Sequence, residues 1–280
     1  MALFRRSKKL PGKEKPQPTT WYGRLWVNWI RPIGLAVLIV FGFRSMFIDW
    51  NDVPSSSMEP TILVGDRIFV NRTAFGLQVP FSTALGGPWW ILKWGQPQRG
   101  DIVVFFATQK EPGGATATRR LVKRIAGVPG DTLEMRNGVL SVNGKPVETR
   151  EGNAGKYARL DLHGVHPDQA AFSQEVLGDV LHPVMHTHNS RSPFSTFGPV
   201  VVPEGHYLMM GDNRNNSRDS RRVEGLPDEN NGFGFVPREK IVGRAFGVAF
   251  SVDKVPSFRP RWERFFRGFD QTRVEAPAGN

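Results

Sequence analysis

Residues 120–144 read RLVKRIAGVPGDTLEMRNGVLSVNG, and this stretch decides the fold class. It contains short runs rich in β-branched and apolar residues at 120–128, 132–135 and 139–142. Asn-Gly pairs stand on both sides of the last run, at 137–138 and 143–144. Because Asn-Gly between apolar runs is the strongest short-range signal of a β-hairpin, the stretch predicts consecutive antiparallel strands joined by tight turns.

The same texture extends along most of the chain after Asn51. Further short β-branched runs occupy 66–70, 101–106, 206–210 and 241–250, with Gly, Pro and Asn between them. Neither a fixed-period repeat nor a long helical pattern interrupts this body. We therefore predict a mainly β protein, with an antiparallel β-sheet body over residues 49–252. Residues 150–200 are polar, turn-rich and less regular, so we interpret them as a smaller inserted lobe.

The segment 25–48 precedes this body and is apolar. Its middle, Pro32–Phe43, has twelve consecutive residues without a charge, which is short of the roughly 20 helical residues that a bilayer requires. Arg31 and Arg44 bracket this stretch, and long cationic side chains near helix ends can reach the headgroups. A cleaved signal peptide would show a small-x-small site, whereas FRSMFIDW follows here, and a buried soluble helix seldom carries a basic arm. We predict a single retained transmembrane helix.

The charge of the chain is concentrated at its N-terminus. The 280 residues include 37 Lys and Arg against 26 Asp and Glu, a net charge of +11, which favours an anionic partner. Residues 1–24 carry much of this excess, with Glu14 as their only acidic residue, and three prolines make them a poor helix. The positive-inside rule then places this tail in the cytoplasm and the β body outside. The expected partner is a lipid bilayer, and nucleic acid is not expected because the folded part is only mildly basic.

Two aromatic segments each leave two interpretations open. Residues 85–95 (LGGPWWILKWG) fit either a loop at the lipid interface or a core hairpin. Residues 253–280 fit either an interfacial amphipathic helix or a segment docked on the body. The second pattern rests on helical spacing of the aromatic residues with arginines interleaved, at Trp262, Phe265, Phe266 and Phe269 and at Arg261, Arg264 and Arg267.

Several chemistries are excluded by absence. The chain has no cysteine, so thiolate catalysis, disulfides, zinc ribbons and iron–sulfur clusters are ruled out. It has neither a G-x-S-x-G elbow nor H-E-x-x-H, and the S-x-x-K match at Ser251 lacks its companion motifs, so we assign it to chance. His182, His186 and His188 have few acidic neighbours and predict a solvated loop, not a metal site. His206 is interpreted as a surface or packing residue, and no metal or other cofactor is expected.

A serine cluster and a lysine remain as candidates for chemistry. The cluster, PSSSMEPT at 54–61, follows the predicted anchor, and Lys123 lies in an apolar strand between Val122 and Arg124. Lysine can act as a base for serine only when neutral, which requires burial to lower its pKa from about 10.4. Arg124, however, indicates that this strand has a solvated side. The residue types alone leave open both a Ser-Lys pair and an ordinary lysine at a strand edge.

Taken in order, the motifs resemble the type I signal peptidases, which are membrane-bound serine proteases with a Ser-Lys dyad. The resemblance covers most of the chain except the basic tail, residues 150–200 and the C-terminal stripe. It rests on FRSMFIDWNDVPSSSMEPTILVGDRIFV at 43–70, RGDIVVF at 99–105, RLVKRIAGVPGD at 120–131, GDNRNNSRDSR at 211–221 and GFVPREKIVGRA at 234–245.

This resemblance implies a role for each matching residue. Ser57 matches the nucleophile and Lys123 the general base, while Ser55 and the backbone N–H of Ser57 match the oxyanion hole. Ser217 matches a serine that orients the lysine. Small pockets for the substrate residues at −1 and −3 match Val53, Pro54, Met58, Ile62 and Val122. A structural charge network matches Asp212, Arg214, Asp219 and Arg221.

Two departures from the family pattern leave the dyad untouched. Asn215 stands where many relatives have Asp, and residues 222–232 are longer than the usual link. The resemblance implies removal of signal peptides from secretory preproteins at the outer face of a bacterial cytoplasmic membrane. The alternatives are a specialised relative that matures one dedicated substrate, such as a conjugative pilin, and a catalytically silent tethered β binding domain. The sequence leaves the oligomeric state open.

Overall fold

The computed structural model describes residues 20–110, 115–157, 160, 162–163, 165–187, 195–221, 233–253 and 258–274. The chain forms two compact units, residues 1–43 and 44–280. The predicted cytoplasmic tail up to residue 19, His188 and the long link at 222–232 lie outside the described residues.

A helix of 27 residues, Trp21–Phe47, opens the described chain. It consists of α1 (Trp21–Leu25), a π-helical turn (Trp26–Ile30) and α2 (Arg31–Phe47). At about 1.5 Å per residue it is roughly 40 Å long, which exceeds the roughly 30 Å hydrocarbon core of a bilayer. Among the described residues it is the helix that is long and apolar enough to cross a membrane. Its apolar side chains are exposed around the whole helix, which is typical of a helix solvated by lipid.

The rest of the described chain is built mainly from short strands. A short helix, α3, spans Ala154–Tyr157, and single 3-10 turns include Ser56–Met58 and Trp262–Arg264. The strands are β1 (Ile48–Asp52), β2 (Asp66–Asn71), β3 (Gly76–Gln78), β4 (Trp90–Lys93), β5 (Ile102–Lys110), β6 (Thr116–Gly127), β7 (Thr132–Arg136), β8 (Val139–Val142), β9 (Lys145–Pro146), β10 (Thr149–Glu151), β11 (Ala170–Leu177), β12 (Val180–Thr187), β13 (Phe197–Val201), β14 (His206–Met210), β15 (Val236–Pro237), β16 (Ile241–Ser251), β17 (Arg267–Gly268) and β18 (Thr272–Arg273).

These strands form four sheets with antiparallel ladders. The largest sheet has the order β1-β2-β16-β5-β6-β14-β15, with β17 beside β16. The others are β10-β11-β12-β18, β13-β7-β8-β9 and β3-β4. The predicted mainly antiparallel β body is therefore confirmed. The predicted hairpin turns are also present, since Asn137, Gly138, Asn143 and Gly144 all have positive φ, as a two-residue I′ turn requires.

Strand β5 carries the core on both of its faces. Ile102 and Val104 lie in one buried cluster and Val103 and Phe105 in another, which explains the continuous apolar run at 101–106. Strand β6 pairs with β5 over residues 116–124 and places Lys123 opposite Val103. The lysine therefore lies in the middle of the largest sheet, at a position that most lysines do not occupy.

Residues 150–200 are more regular than their polar sequence indicates. They contain the eight-residue strands β11 and β12, which form a continuous antiparallel hairpin. The prediction of a solvated loop at His182 is wrong, because this side chain is completely buried on β12. Five of the eight positions of β11 are only half-buried, which explains why its sequence is polar.

The C-terminal segment is not the amphipathic helix that the aromatic spacing predicts. Within its described residues 258–274, only Trp262–Arg264 forms a helical turn, and Phe266 has a positive φ of 53°, which is incompatible with a continuing helix. The chain instead pairs β17 with β16 and β18 with β12. Phe269 enters the core beside Met58, so this segment is docked on the body.

The tryptophan-rich segment forms a hairpin, with β4 paired to β3. It is not a core hairpin, however, because its apolar side chains are exposed, with Trp89 at 52%, Leu92 at 59% and Trp94 at 55%. The indole N–H of Trp94 donates to the carbonyl of Thr73 at 2.9 Å, so the ring has a defined orientation. An ordered hairpin with an exposed apolar tip is typical of a surface that contacts another apolar phase.

Candidate active site

The serine cluster lies on a tight turn directly after β1. Ser57 is buried in the 3-10 turn Ser56–Met58, and Met58 and Ile62 anchor the following turn in the core. The carbonyl of Met58 accepts the N–H of Ile62 at 2.9 Å. Because the residues around Ser57 are packed and hydrogen-bonded, its hydroxyl is held in a rigid frame.

Lys123 reaches this turn from the centre of β6. Its Nζ is hydrogen-bonded to Ser57 Oγ, and the side chain is only 4% exposed. Burial lowers the pKa of Lys123 to about 8, against the opposing pull of the Asp219 and Asp212 carboxylates. A substantial fraction of the amine is therefore neutral near pH 8 and can accept a proton from the hydroxyl.

Ser55 and Ser217 flank this pair. Ser55 Oγ lies 3.4 Å from Ser57 Oγ, at the long end of hydrogen-bonding range. Ser217 Oγ is buried near the Asp219 carboxylate, and no hydrogen bond joins it to Lys123 here. Ser217 packs against Gly211, where a Cβ would overlap both Ser217 Oγ and the carbonyl of Ser57. Glycine at 211 is what allows the 211–221 loop to approach the serine turn this closely.

The four residues matched to a charge network are all buried. Together with Glu175 and Arg124 they form three bidentate arginine–carboxylate pairs. Arg221 donates to Asp219 at 2.9 and 3.0 Å, and Arg214 donates to Glu175 at 2.5 Å through both terminal nitrogens. Arg124 donates to Asp212 at 2.9 and 2.8 Å. The interpretation of Arg124 as solvated is wrong, since it is 1% exposed. Glu175, the partner of Arg214, was not predicted from the sequence to belong to this network.

These pairs set the electrostatics behind the lysine. Burial would raise the pKa of Asp212, but the guanidinium of Arg124 more than offsets it and holds this pKa below its usual value. Asp219 behaves in the same way beside Arg221. Both carboxylates are therefore ionised, and they keep the pKa of Lys123 from falling further.

His182 belongs to this buried layer and not to a metal site. Its Nδ1 lies 3.2 Å from the carbonyl oxygen of Pro183 and 3.6 Å from Asp212 Oδ1. Burial lowers the pKa of His182 well below 6.5, so the ring is neutral. Within the described ranges, no group of three or more His, Cys, Asp and Glu side chains is placed to hold a metal ion.

A cavity of about 420 Å³ opens beside the dyad. Of the residues matched to the substrate pockets, Pro54 lines it, whereas the other four lie in one buried core cluster beside it. Several polar lining residues were missed by the sequence analysis. The complete lining is Pro54, Ser55, Ser56, Ser57, Arg119, Arg120, Leu121, Lys123, Asn215, Asn216, Ser217 and Arg218.

Loss of the Arg124 guanidinium is expected to destabilise the fold strongly. The substitution Arg124→Met leaves the Asp212 carboxylate buried and unpaired, which costs about 3–5 kcal/mol. Arg150→Met is the matched control, because it removes an arginine from an exposed pair with Glu148 that is worth about 1 kcal/mol or less. Urea unfolding of both variants checks the prediction. Equal losses in the free energy of unfolding would show that the buried pair contributes no more to stability than the exposed one.

A buried amine in contact with a serine hydroxyl at the edge of a cavity is the arrangement that Ser-Lys hydrolases use. Residues 26–250 match the family model described as "Signal peptidase, peptidase S26". The chain therefore belongs to the peptidase S26 family of signal peptidases.

Two relatives from Pseudomonas agree with this assignment. The chain is similar to signal peptidase I of Pseudomonas fluorescens, with 35% identity over 220 residues that cover 77% of this chain and 69% of the relative. It is 35% identical to signal peptidase I of Pseudomonas aeruginosa over 232 residues, which cover 80% and 74% of the two chains. A solved signal peptidase I from Enterococcus faecalis V583 shares 26% identity, with a TM-score of 0.28 over 54% of this chain and 97% of that one.

The resemblance inferred from the motifs is thus confirmed. The chain is a peptidase of the class that removes signal peptides, and it carries an apolar N-terminal helix that fits a membrane anchor.

Proposed function

We propose that this protein is a membrane-bound serine endopeptidase that removes signal peptides from translocated preproteins by means of a Ser57/Lys123 dyad. The observation that carries the proposal is the hydrogen bond between Lys123 Nζ and Ser57 Oγ at a buried position. A serine nucleophile requires a neutral base, and no suitable histidine is placed beside Ser57 among the described residues. Burial of the Lys123 amine lowers its pKa and so provides that base.

The reaction proceeds in two steps. Neutral Lys123 accepts the proton of Ser57 as Oγ attacks the substrate carbonyl carbon, and the lysine then gives this proton to the departing amine. The Ser55 hydroxyl and the Ser57 backbone N–H stabilise the oxyanion, at about 3–4 kcal/mol per donor. A water molecule, deprotonated by the same lysine, hydrolyses the acyl ester and regenerates Ser57. Ser217 is assigned to position the amine, because it is buried and lines the same cavity as Lys123.

The residues below the cavity restrict the substrate. Met58 and Ile62 are fully buried, and Val53 and Val122 nearly so, within one packed cluster, while Pro54 lines the opening. On the side of Ser57 that faces this cluster, little room remains for a large side chain, because a packed core resists displacement by even one methylene group. We therefore assign these five residues to the shallow pockets for small substrate residues at −1 and −3.

The anchor and the basic N-terminal arm define the topology of the proposal. Residues 1–24 remain in the cytoplasm, residues 25–48 cross the bilayer, and the catalytic body over 49–252 lies on the extracytoplasmic face of a bacterial cytoplasmic membrane. The C-terminal segment 253–280 is assigned to the same side of the membrane, because its strands β17 and β18 pair with that body. Anchoring keeps the site near the emerging cleavage region of a signal peptide and raises its effective concentration.

The tryptophan-rich hairpin is assigned to the lipid interface. The backbone N–H of Phe81, in the loop that joins β3 to β4, donates to Ser45 Oγ at 3.2 Å, so this loop is tied to a residue that lies only three positions before β1. We assign the exposed apolar side chains of the hairpin to the lipid interface on this basis. Tryptophan suits this depth because its ring is apolar and its N–H is polar.

A depth measurement tests the hairpin assignment. Because the chain has no cysteine, Leu92→Cys introduces a unique site for a nitroxide label. With the full chain in vesicles, we expect the label to be shielded from a water-soluble relaxation agent and accessible to oxygen. Val139→Cys is the matched control, since Val139 is similarly exposed, at 51%, but lies on β8. The same accessibility at both positions would rule out lipid contact at the hairpin.

A cleavage assay tests the function itself. The full chain in vesicles is mixed with a general preprotein that has alanine at −1 and −3, and the product is sequenced from its N-terminus. We expect a single cut after the alanine at −1. Cleavage of a dedicated substrate alone would instead favour the specialised relative. If the preprotein is not cleaved and a serine-directed acylating inhibitor leaves Ser57 unmodified, the protein is a binding domain.

A further inference from the structure

The wall of the cavity beside the dyad is strongly cationic. Arg119, Arg120 and Arg218 line it together with Lys123, and no aspartate or glutamate is among the lining residues. A cavity lined by charges of one sign focuses its field and attracts groups of opposite sign. The site therefore selects for negative charge in whatever occupies it.

The three arginines differ in how they are held. Arg218 is exposed, and no described carboxylate lies within ion-pair distance of it. Arg120 donates to Asp49 at 2.9 Å, which fixes its guanidinium at the cavity wall. Arg119 is the neighbouring residue on β6 and is also exposed. Arg218 follows Ser217 directly, so the positive charge comes from two different elements that flank the dyad.

The distance along β6 shows which part of a substrate these charges meet. Arg119 is four residues from Lys123, or about 13 Å at roughly 3.3 Å per residue of strand. A peptide bound in extended form has the same rise per residue. Arginines on this strand and beside Ser217 therefore lie alongside substrate side chains up to about four residues from the scissile bond.

We propose that this peptidase prefers substrates that carry an acidic side chain within about four residues of the scissile bond, recognised by Arg218, Arg119 and Arg120. The inference rests on the proposed function, because it assumes that the substrate chain lies across Ser57. A phosphate of a lipid headgroup offers the same charge, but the arginines line the cavity that holds the serine, which the peptide itself must enter.

Matched peptides provide the test. Signal-sequence peptides of one length carry either Asp or its neutral isostere Asn at each position from −4 to +4, excluding −1 and −3, and the full chain cleaves them in neutral detergent. At one or more positions we expect kcat/KM to be about three- to tenfold higher for Asp, mainly through a lower KM. The preference should shrink at about 0.5 M salt, because exposed charges are then screened.

Arginine variants show whether these residues are responsible. Arg218→Gln and Arg119→Gln should each reduce the Asp-to-Asn ratio of kcat/KM by about two- to threefold. Arg136→Gln is the matched control, because it removes an exposed arginine that does not line the cavity and should leave the ratio unchanged.

The outcomes separate this inference from the proposed function. Cleavage of all peptides with equal kcat/KM overturns the acidic preference and leaves the peptidase intact, whereas cleavage of none overturns the proposed function. If the Arg218→Gln effect appears only in vesicles of anionic lipid and not with the peptides in detergent, the arginines bind headgroups and the inference is wrong.

Discussion

The Ser57→Ala variant is expected to lose at least about 10⁴-fold in kcat for preprotein cleavage. In the proposed mechanism Ser57 Oγ forms the ester bond, and we expect no neighbouring hydroxyl to replace it, because Lys123 Nζ contacts this oxygen. Ser55 Oγ lies 3.4 Å away from it, outside the contact with the amine. Gel-based cleavage by purified full-length protein measures the loss.

Folding must be separated from catalysis in this experiment. Ser57→Ala removes a single oxygen from a turn whose frame is held by Met58 and Ile62, so its thermal unfolding should match that of the wild type within a few degrees. Ser251→Ala is the matched control, since Ser251 begins the S-x-x-K pattern that we assign to chance and is also fully buried. Loss of cleavage in the Ser251 variant with full activity in the Ser57 variant would reverse the assignment.

Local sequence signals predicted the parts of this fold that depend on near neighbours. Asn-Gly at 137–138 and 143–144 favours turns with two positive φ values, and this preference does not depend on contacts with distant parts of the chain. The continuous apolar run at 101–106 has no solvated face and therefore predicts the buried strand β5. Spacing in the chain cannot show that Lys123 meets Ser57, 66 residues earlier. The residue types left a Ser-Lys pair open as one of two interpretations, and the family resemblance selected it.

Residues that depend on distant partners were predicted poorly. Arg124 directly follows Lys123, and two adjacent cationic residues in a strand indicate that at least one of them faces solvent. Arg124 is nevertheless buried, because it pairs with Asp212, which lies 88 residues away in the sequence. Glu175 escaped notice because its strand looks polar, and its partner Arg214 lies in another motif. Burial of an ion pair is decided by two segments together, so neither sequence segment signals it alone.

The C-terminal segment shows how a correct periodicity can give a wrong structure. Its aromatic residues do follow a helical spacing, but Phe269 is buried in the core and Arg264 donates to the buried carboxylate of Asp66 at 2.5 Å. Strand pairing of β17 with β16 satisfies the backbone there. Tertiary contacts of this kind override a local helical preference of a few tenths of a kcal/mol per residue.

The Lys123→Met variant is expected to lose activity as completely as Ser57→Ala while becoming more stable than the wild type at pH 7. Methionine has a similar length and no charge, so it fills the site without an amine to desolvate. An unfolded lysine has a pKa near 10.5, and burial lowers it to about 8 in the folded protein. The folded state therefore disfavours the ammonium form below pH 8, by roughly 3 kcal/mol.

The sign of this effect gives a second measurement. Between about pH 8 and 10.5 the unfolded state binds more protons than the folded state, so wild-type stability rises with pH across this window and the advantage of Lys123→Met shrinks. Lys145→Met, at an exposed position on β9, should change stability little at any pH. Urea unfolding at pH 7 and at pH 10 measures the difference between the two variants.

The pH dependence of the wild-type cleavage rate provides a further test of the Lys123 amine. Because Lys123 acts as a base only when neutral, kcat/KM, which reports the free enzyme, should rise about tenfold per pH unit below its pKa and level off above about pH 8. A kcat/KM that stays constant from pH 6 to pH 9 would contradict a lysine base even if Lys123→Met were inactive, because the side chain would then be needed for packing and not for proton transfer. Activity, stability and pH dependence thus have to change together, and only a buried amine in contact with Ser57 connects all three.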